Sequence, residues 1–154
     1  MVERDHLEIQ ANSSVRKRID EAIAHHPKDW PDFLPPEIQI ISTTNSGAFL
    51  VDCEFFALKT IGIMKRLQSI FPNSIVQSPQ TGDIIVYFKK DQPEATHVGR
   101  YQEDGKIISK WGLGPVVKHE IDHVPSMYGN TVLFFKISDE ELQHSERDLN
   151  LKRS

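Results

Sequence analysis

The chain has one cysteine in 154 residues, so no disulfide can form within it. That thiol is left three roles: a small buried hydrophobe, a metal ligand or a reactive nucleophile. No apolar run approaches the roughly 18 residues that span a bilayer, and Met1 to His6 lack the basic-then-apolar layout of a secretory signal. A cytoplasmic protein is expected. An excess of positive charge is missing too: 18 Lys and Arg against 22 Asp and Glu leave a formal charge of −4. Nucleic acid and anionic membrane surfaces are therefore not expected partners. There is no second cysteine and no closely spaced ligand pair, so Cys53, His97 and His119, the set a zinc ion would take, are not expected to hold metal. No cofactor is expected. Internal repeats and low-complexity stretches are absent, and the length suits one domain with one core.

What is present begins with Val15, Ile19, Ala22 and Ile23 at helical spacing behind Ser13 and Ser14, predicting an amphipathic helix that stops at Pro27. Trp30 to Pro36 reads as a proline-punctuated, aromatic connector packed as extended chain, with Trp30 and Phe33 in the core. A short strand is expected at Glu37 to Ser42, followed by a polar loop that delivers the chain to Cys53. From Cys53 to Ile70 the spacing predicts a helix, interrupted at Gly62. Strands follow at Asp83 to Phe88, His97 to Tyr101, Lys106 to Lys110, Val116 to Glu120 and Thr131 to Ile137. Asp104-Gly105 marks a hairpin between the second and third of these. Beyond Ser138 a charged surface helix is expected.

The chemistry centres on Val51-Asp52-Cys53-Glu54, where an apolar approach meets the start of the predicted helix. A helix N-terminus favours the thiolate and offers unpaired amides to an oxyanion. A thiol nucleophile also needs a histidine base, oriented by a third polar group. His97 at a strand start is the candidate base. Ser109, across the hairpin, and His119, one strand further, are alternative third residues, and Lys110 could set positive charge nearby. Trp111, Gly112 and Gly114 read as a rigid loop at the rim.

Asp52-Cys53, then Pro79-Gln80-Thr81-Gly82-Asp83, then His97-Val98-Gly99-Arg100-Tyr101 resemble, in order and interval, the NlpC-type branch of the papain-like cysteine peptidases and amidases. Thr96-His97, Ser109-Lys110-Trp111-Gly112 and His119 more closely resemble a family of small uncharacterised bacterial proteins. The third residue of the NlpC family falls on Ser109, where histidine, asparagine or glutamine is usual, and its Asp-Cys-Ser-Gly is here Asp-Cys-Glu-Phe.

The resemblance implies an α+β papain-like domain, the cysteine helix packed on an antiparallel sheet of about five strands. The resemblance covers most of the chain after Asn45, and residues 1–154 are expected to form one domain: a helical and extended segment to about 44, a catalytic core at about 45–138 and a polar tail at 139–154. The implied function is amide or peptide hydrolysis with Cys53 as nucleophile, His97 as base, and Ser109 or His119 orienting it. Peptidoglycan-like peptides are the substrate the resemblance implies, with acyl transfer by the same pair as a variant. Export without a cleaved signal would carry it to such a substrate. A non-catalytic module holding a protein partner or inhibitor in the same cleft is the alternative.

Overall fold

The computed structural model describes residues 7–10, 13–42, 57–58, 63–112 and 114–144. Its main body is one antiparallel sheet of eight strands: β1 Leu7–Glu8, β2 Gln39–Ser42, β3 Ile75–Val76, β4 Ile84–Phe88, β5 Ala95–Tyr101, β6 Ile107–Lys110, β7 Val116–His119 and β8 Thr131–Phe135. The strands lie in the order β1-β8-β4-β5-β6-β7-β2. Strand β8 gives one edge to β4 along its whole length, from Ile84 opposite Phe135 to Phe88 opposite Thr131. Its other edge is shared, β1 pairing Leu7 with Val132 and β3 pairing Ile75 with Phe135.

Every residue of β4 and of β8 is buried, although an antiparallel sheet often wets one face. The reason is that this sheet carries a core on each side. On one face Ile85, Tyr87, Ile107, Val117, Val132 and Phe134 pack with Val15, Ile19, Trp30 and Tyr128. On the other, Ile84, Val86, Phe88, Val98, Leu133 and Phe135 pack with Ala57, Leu58, Ile63, Leu67 and Leu142. A strand buried on both faces must be apolar at consecutive positions, which is what Ile84-Ile85-Val86-Tyr87-Phe88 provides.

Helix α1, Ser14–Ala22, covers the first face; Ser13 Oγ accepts from Arg16 N at 3.1 Å and caps it. A 3₁₀ turn at Pro27–Asp29 and the single-turn α2, Trp30–Phe33, follow it. The other face is covered by helical residues 57–58, a 3₁₀ turn at Met64–Arg66, α3 at Leu67–Ile70, and a helix over residues 139–144. Ser138 opens this last helix with a reciprocal capping box: Glu141 N donates to Ser138 Oγ at 3.1 Å and Ser138 N to Glu141 Oε1 at 3.0 Å.

The expected architecture, a cysteine-bearing helix on about five strands, is thus corrected to an eight-stranded sheet with, among the described residues, only short helices. Strands β1 and β3 are two residues each, too short to leave an alternating pattern. The expected helix from Cys53 to Ile70 is present, in its described part, only as short pieces. Two local expectations also change. The Trp30 connector contains a helical turn, and Phe33 is not a core residue: it is 49% exposed and stacks on the His25 ring.

Candidate functional site

Strand β5 opposes Tyr87 to His97 but Phe88 to Ala95, so the register slips by one residue at Thr96. The slip is a bulge, and such a bulge re-aims the side chains beside it. Thr96 Oγ1 faces the carbonyls of Tyr87, at 3.1 Å, and of Tyr128, at 2.6 Å. His97 then shares the face of Tyr87, beneath α1, while Val98 faces the opposite core. Gly99 keeps β6 close, because a Cβ there would lie 2.7 Å from Ile107 Cγ2 and 3.0 Å from Ser109 Cβ. The register puts Ser109 on the histidine face, and the glycine of His97-Val98-Gly99 lets it lie close against β5 there.

His97 is 0% exposed, and among the described residues neither ring nitrogen has a hydrogen-bond partner. Its ring stacks on Tyr128, centroids 4.0 Å apart and planes within 1°, and lies 5.6 Å from the tilted ring of Tyr87. Burial holds its pKa well below the ordinary 6.5, and His119 adds a smaller push the same way. The imidazole is therefore neutral at neutral pH, with one N–H and one lone pair unused. An unpaired buried polar group costs about 1–3 kcal/mol, which is why such groups gather at functional sites.

Ser109 and His119 are brought together, but with each other. His119 Nδ1 lies 2.6 Å from the Glu120 carbonyl, which can only accept, so Nδ1 carries the proton. On the neutral ring Nε2 is then the acceptor, and Ser109 Oγ donates to it at 3.0 Å. Trp111 Nε1, a donor only, donates to Ser109 Oγ at 3.1 Å. Each proton in the row is thus assigned. Burial pulls the His119 pKa down to about 4, against an upward pull from the Glu120 carbonyl and with a further lowering by His123. With Ser109 and His119 bonded in this way, the expected orienting bond from either to His97 is not made. Trp111, expected at a rim, is wholly buried.

The segment that brings Tyr128 onto His97 is clamped by α1. Arg16, buried on that helix, donates through Nε to Val124 O at 3.1 Å and through Nη2 to Pro125 O at 3.3 Å and Gly129 O at 3.1 Å. Its Nη1 donates to Gln10 O at 3.2 Å and Asn130 Oδ1 at 2.5 Å. Burial lowers the Arg16 pKa from its ordinary value, with Asp20, Tyr87 and Asp122 opposing it, and the guanidinium stays charged. One turn along, the Asp20 carboxylate accepts from Ser126 N at 2.8 Å and Ser126 Oγ at 2.5 Å. Gly129 closes the segment at φ +93°, with its Cβ position only 1.9 Å from Phe88 O, so only glycine fits.

Cys53 lies outside the described residues. Ala57 and Leu58, shortly after it, pack on the face opposite His97, where Arg100 Nε donates to Ala57 O at 2.7 Å. Arg100 also reaches Gly82 O at 2.7 Å and Asp139 at 3.1 Å, joining that helical layer to the sheet. Lys110 is buried, its ammonium donating to Gly112 O at 2.6 Å. Among the described residues no group of three or more His, Cys, Asp or Glu is placed to hold a metal ion, and no helix is long and apolar enough to cross a membrane. Arg16 and Tyr128 were not singled out from the sequence. The only signals were a basic residue on the apolar side of a helix and an aromatic before Gly129, each meaningful only once the partner segment is known.

The family described as a domain of unknown function (DUF7689) matches residues 59–136. The matched stretch contains His97, Ser109, His119 and Tyr128, and begins after Cys53. No curated protein and no solved structure matches the chain.

Proposed function

The chain belongs to the DUF7689 family, whose description assigns no activity, and from the site we propose that it is a thiol hydrolase of amide or peptide bonds, with Cys53 as nucleophile and His97 as base. The observation that carries this reading is the buried, neutral imidazole of His97, both of its nitrogens without a hydrogen-bond partner among the described residues. Such a ring has a lone pair able to take a thiol proton, and the NlpC-like order of Asp52-Cys53 and His97-Val98-Gly99 names Cys53 as the thiol, although Ala57 and Leu58 after it pack on the opposite face of the sheet. His97 takes the proton as the sulfur bonds the carbonyl carbon, then returns it to the departing amine as the C–N bond breaks. Water, deprotonated by the same ring, hydrolyses the thioester and regenerates the thiol. Burial disfavours imidazolium, which opposes the first proton transfer and favours the second, from the ring to the leaving amine. The proposed compartment is the cytoplasm, where an unpaired thiol stays reduced.

The test is amine release from peptidoglycan-type stem peptides and from a mixed peptide library. Release that is abolished both by Cys53→Ala and by His97→Ala supports the proposal, and release that survives Cys53→Ala refutes it. An amine or alcohol in place of water would make the same pair an acyltransferase, seen as a conjugate rather than a free acid.

A second reading, a binding module without turnover, is favoured by one observation: Ser109 and His119 are bonded to each other rather than to His97. It predicts peptide binding by calorimetry with no amine release, unchanged by Cys53→Ala.

A further inference from the structure

We infer that Tyr128 is the positioning residue for the proposed base, its ring fixing the plane of His97 where a hydrogen-bonded third residue would otherwise do so. This rests on His97 acting as the base. Three observations carry it. First, neither His97 nitrogen is hydrogen-bonded among the described residues, so no polar partner there sets the ring plane. Second, the Tyr128 ring lies against it face to face, at 4.0 Å and 1°. Third, Tyr128 is itself held from several sides: its carbonyl accepts from Thr96 Oγ1 at 2.6 Å and its N–H donates to Pro125 O at 3.1 Å. Arg16 and Asp20 clamp the residues around it, and Gly129 presses the chain onto Phe88.

A stacked ring differs chemically from a hydrogen-bonded one. Stacking resists rotation out of plane but leaves the nitrogen edge untouched, so either nitrogen can accept or deliver a proton. A third residue in the usual place would occupy one nitrogen and dictate the tautomer. Tyr128 is a positioning residue in this account, acting on substrate only through His97.

The experiment compares native protein, His97→Ala, Tyr128→Phe and Tyr128→Leu by two readouts: iodoacetamide alkylation of Cys53 at neutral pH, and the His97 ring proton resonances. In the native protein the stack should shift the His97 resonances upfield. Tyr128→Phe should keep both that shift and the alkylation rate. Tyr128→Leu should lose the upfield shift and fall to the His97→Ala rate, about tenfold below native, a modest fraction of what a positioned base contributes. A folded Tyr128→Leu that alkylates at the native rate, while His97→Ala is slow, overturns the positioning role alone. A native rate in His97→Ala overturns the reading of His97 as base, and this inference with it. If Tyr128→Leu does not fold, the absence of an upfield shift in the native protein, or a slow Tyr128→Phe, decides against the inference.

Discussion

Two imidazoles kept neutral by burial make stability depend on pH in a definite direction. His119 is pulled from 6.5 to about 4, and His97 is lowered as well. The unfolded chain therefore takes up these protons first as pH falls. Above pH 6.5 neither group affects stability; below it the folded state loses ground until the folded pKa is reached, for His119 near pH 4. The loss from His119 alone is about 3 kcal/mol at 1.36 kcal/mol per pH unit, with His97 adding to it. Urea unfolding between pH 7 and pH 4 should show the slope, and His119→Asn should reduce it; a flat profile in the native protein would contradict the burial. Ser109 is the other residue whose role is sharply defined, since its hydroxyl serves Trp111 and His119 together. Ser109→Ala leaves two buried polar atoms unpaired and should cost about 2–4 kcal/mol by urea denaturation at neutral pH, far more than loss of one exposed hydroxyl.

Helix α1 acts through two side chains one turn apart, Arg16 and Asp20, which hold the segment from Val124 to Asn130. Arg16→Met keeps the apolar stem but strips donors from four carbonyls, and should cost about 3 kcal/mol or more. Hydrogen exchange should show that segment opening before β4 and β8 do, because its order depends on the clamp while theirs depends on two cores. Equal protection in the two regions of Arg16→Met would contradict this. Much at this scale could be read from sequence: α1 with its serine cap, the six longer strands and the Asp104-Gly105 hairpin all follow local periodicity and turn chemistry, and all are found. What escaped were the elements that exist only by pairing. Leu7–Glu8 and Ile75–Val76 are strands because β8 offers them an edge, and two residues have no period. Phe33 was assigned to the core on hydrophobicity alone, but the turn of α2 carries Trp30 inward and leaves Phe33 outside. Among the candidate site residues, His97, Ser109 and His119, named from motif and spacing, share one face. Of their partners, Trp111 bonds Ser109 from two residues away, whereas Tyr128 meets His97 through a long-range contact that no local pattern encodes.

For the whole molecule the decisive feature is a sheet with an apolar core on both sides and an unpartnered imidazole sealed into one of them. The bulge at Thr96, the close approach at Gly99 and the clamped segment after Val124 all converge on His97. Leaving that ring unpaired is costly, and a thiol for it to deprotonate is the use the proposal gives it. The direct measurement is the rate of Cys53 alkylation as a function of pH, for the native protein and for His97→Ala. With His97 as base, the native protein stays reactive well below the ordinary thiol pKa of roughly 8.5, and His97→Ala reverts to the ordinary profile. Superimposable profiles for the two proteins would contradict the account and leave His97 a buried structural ring.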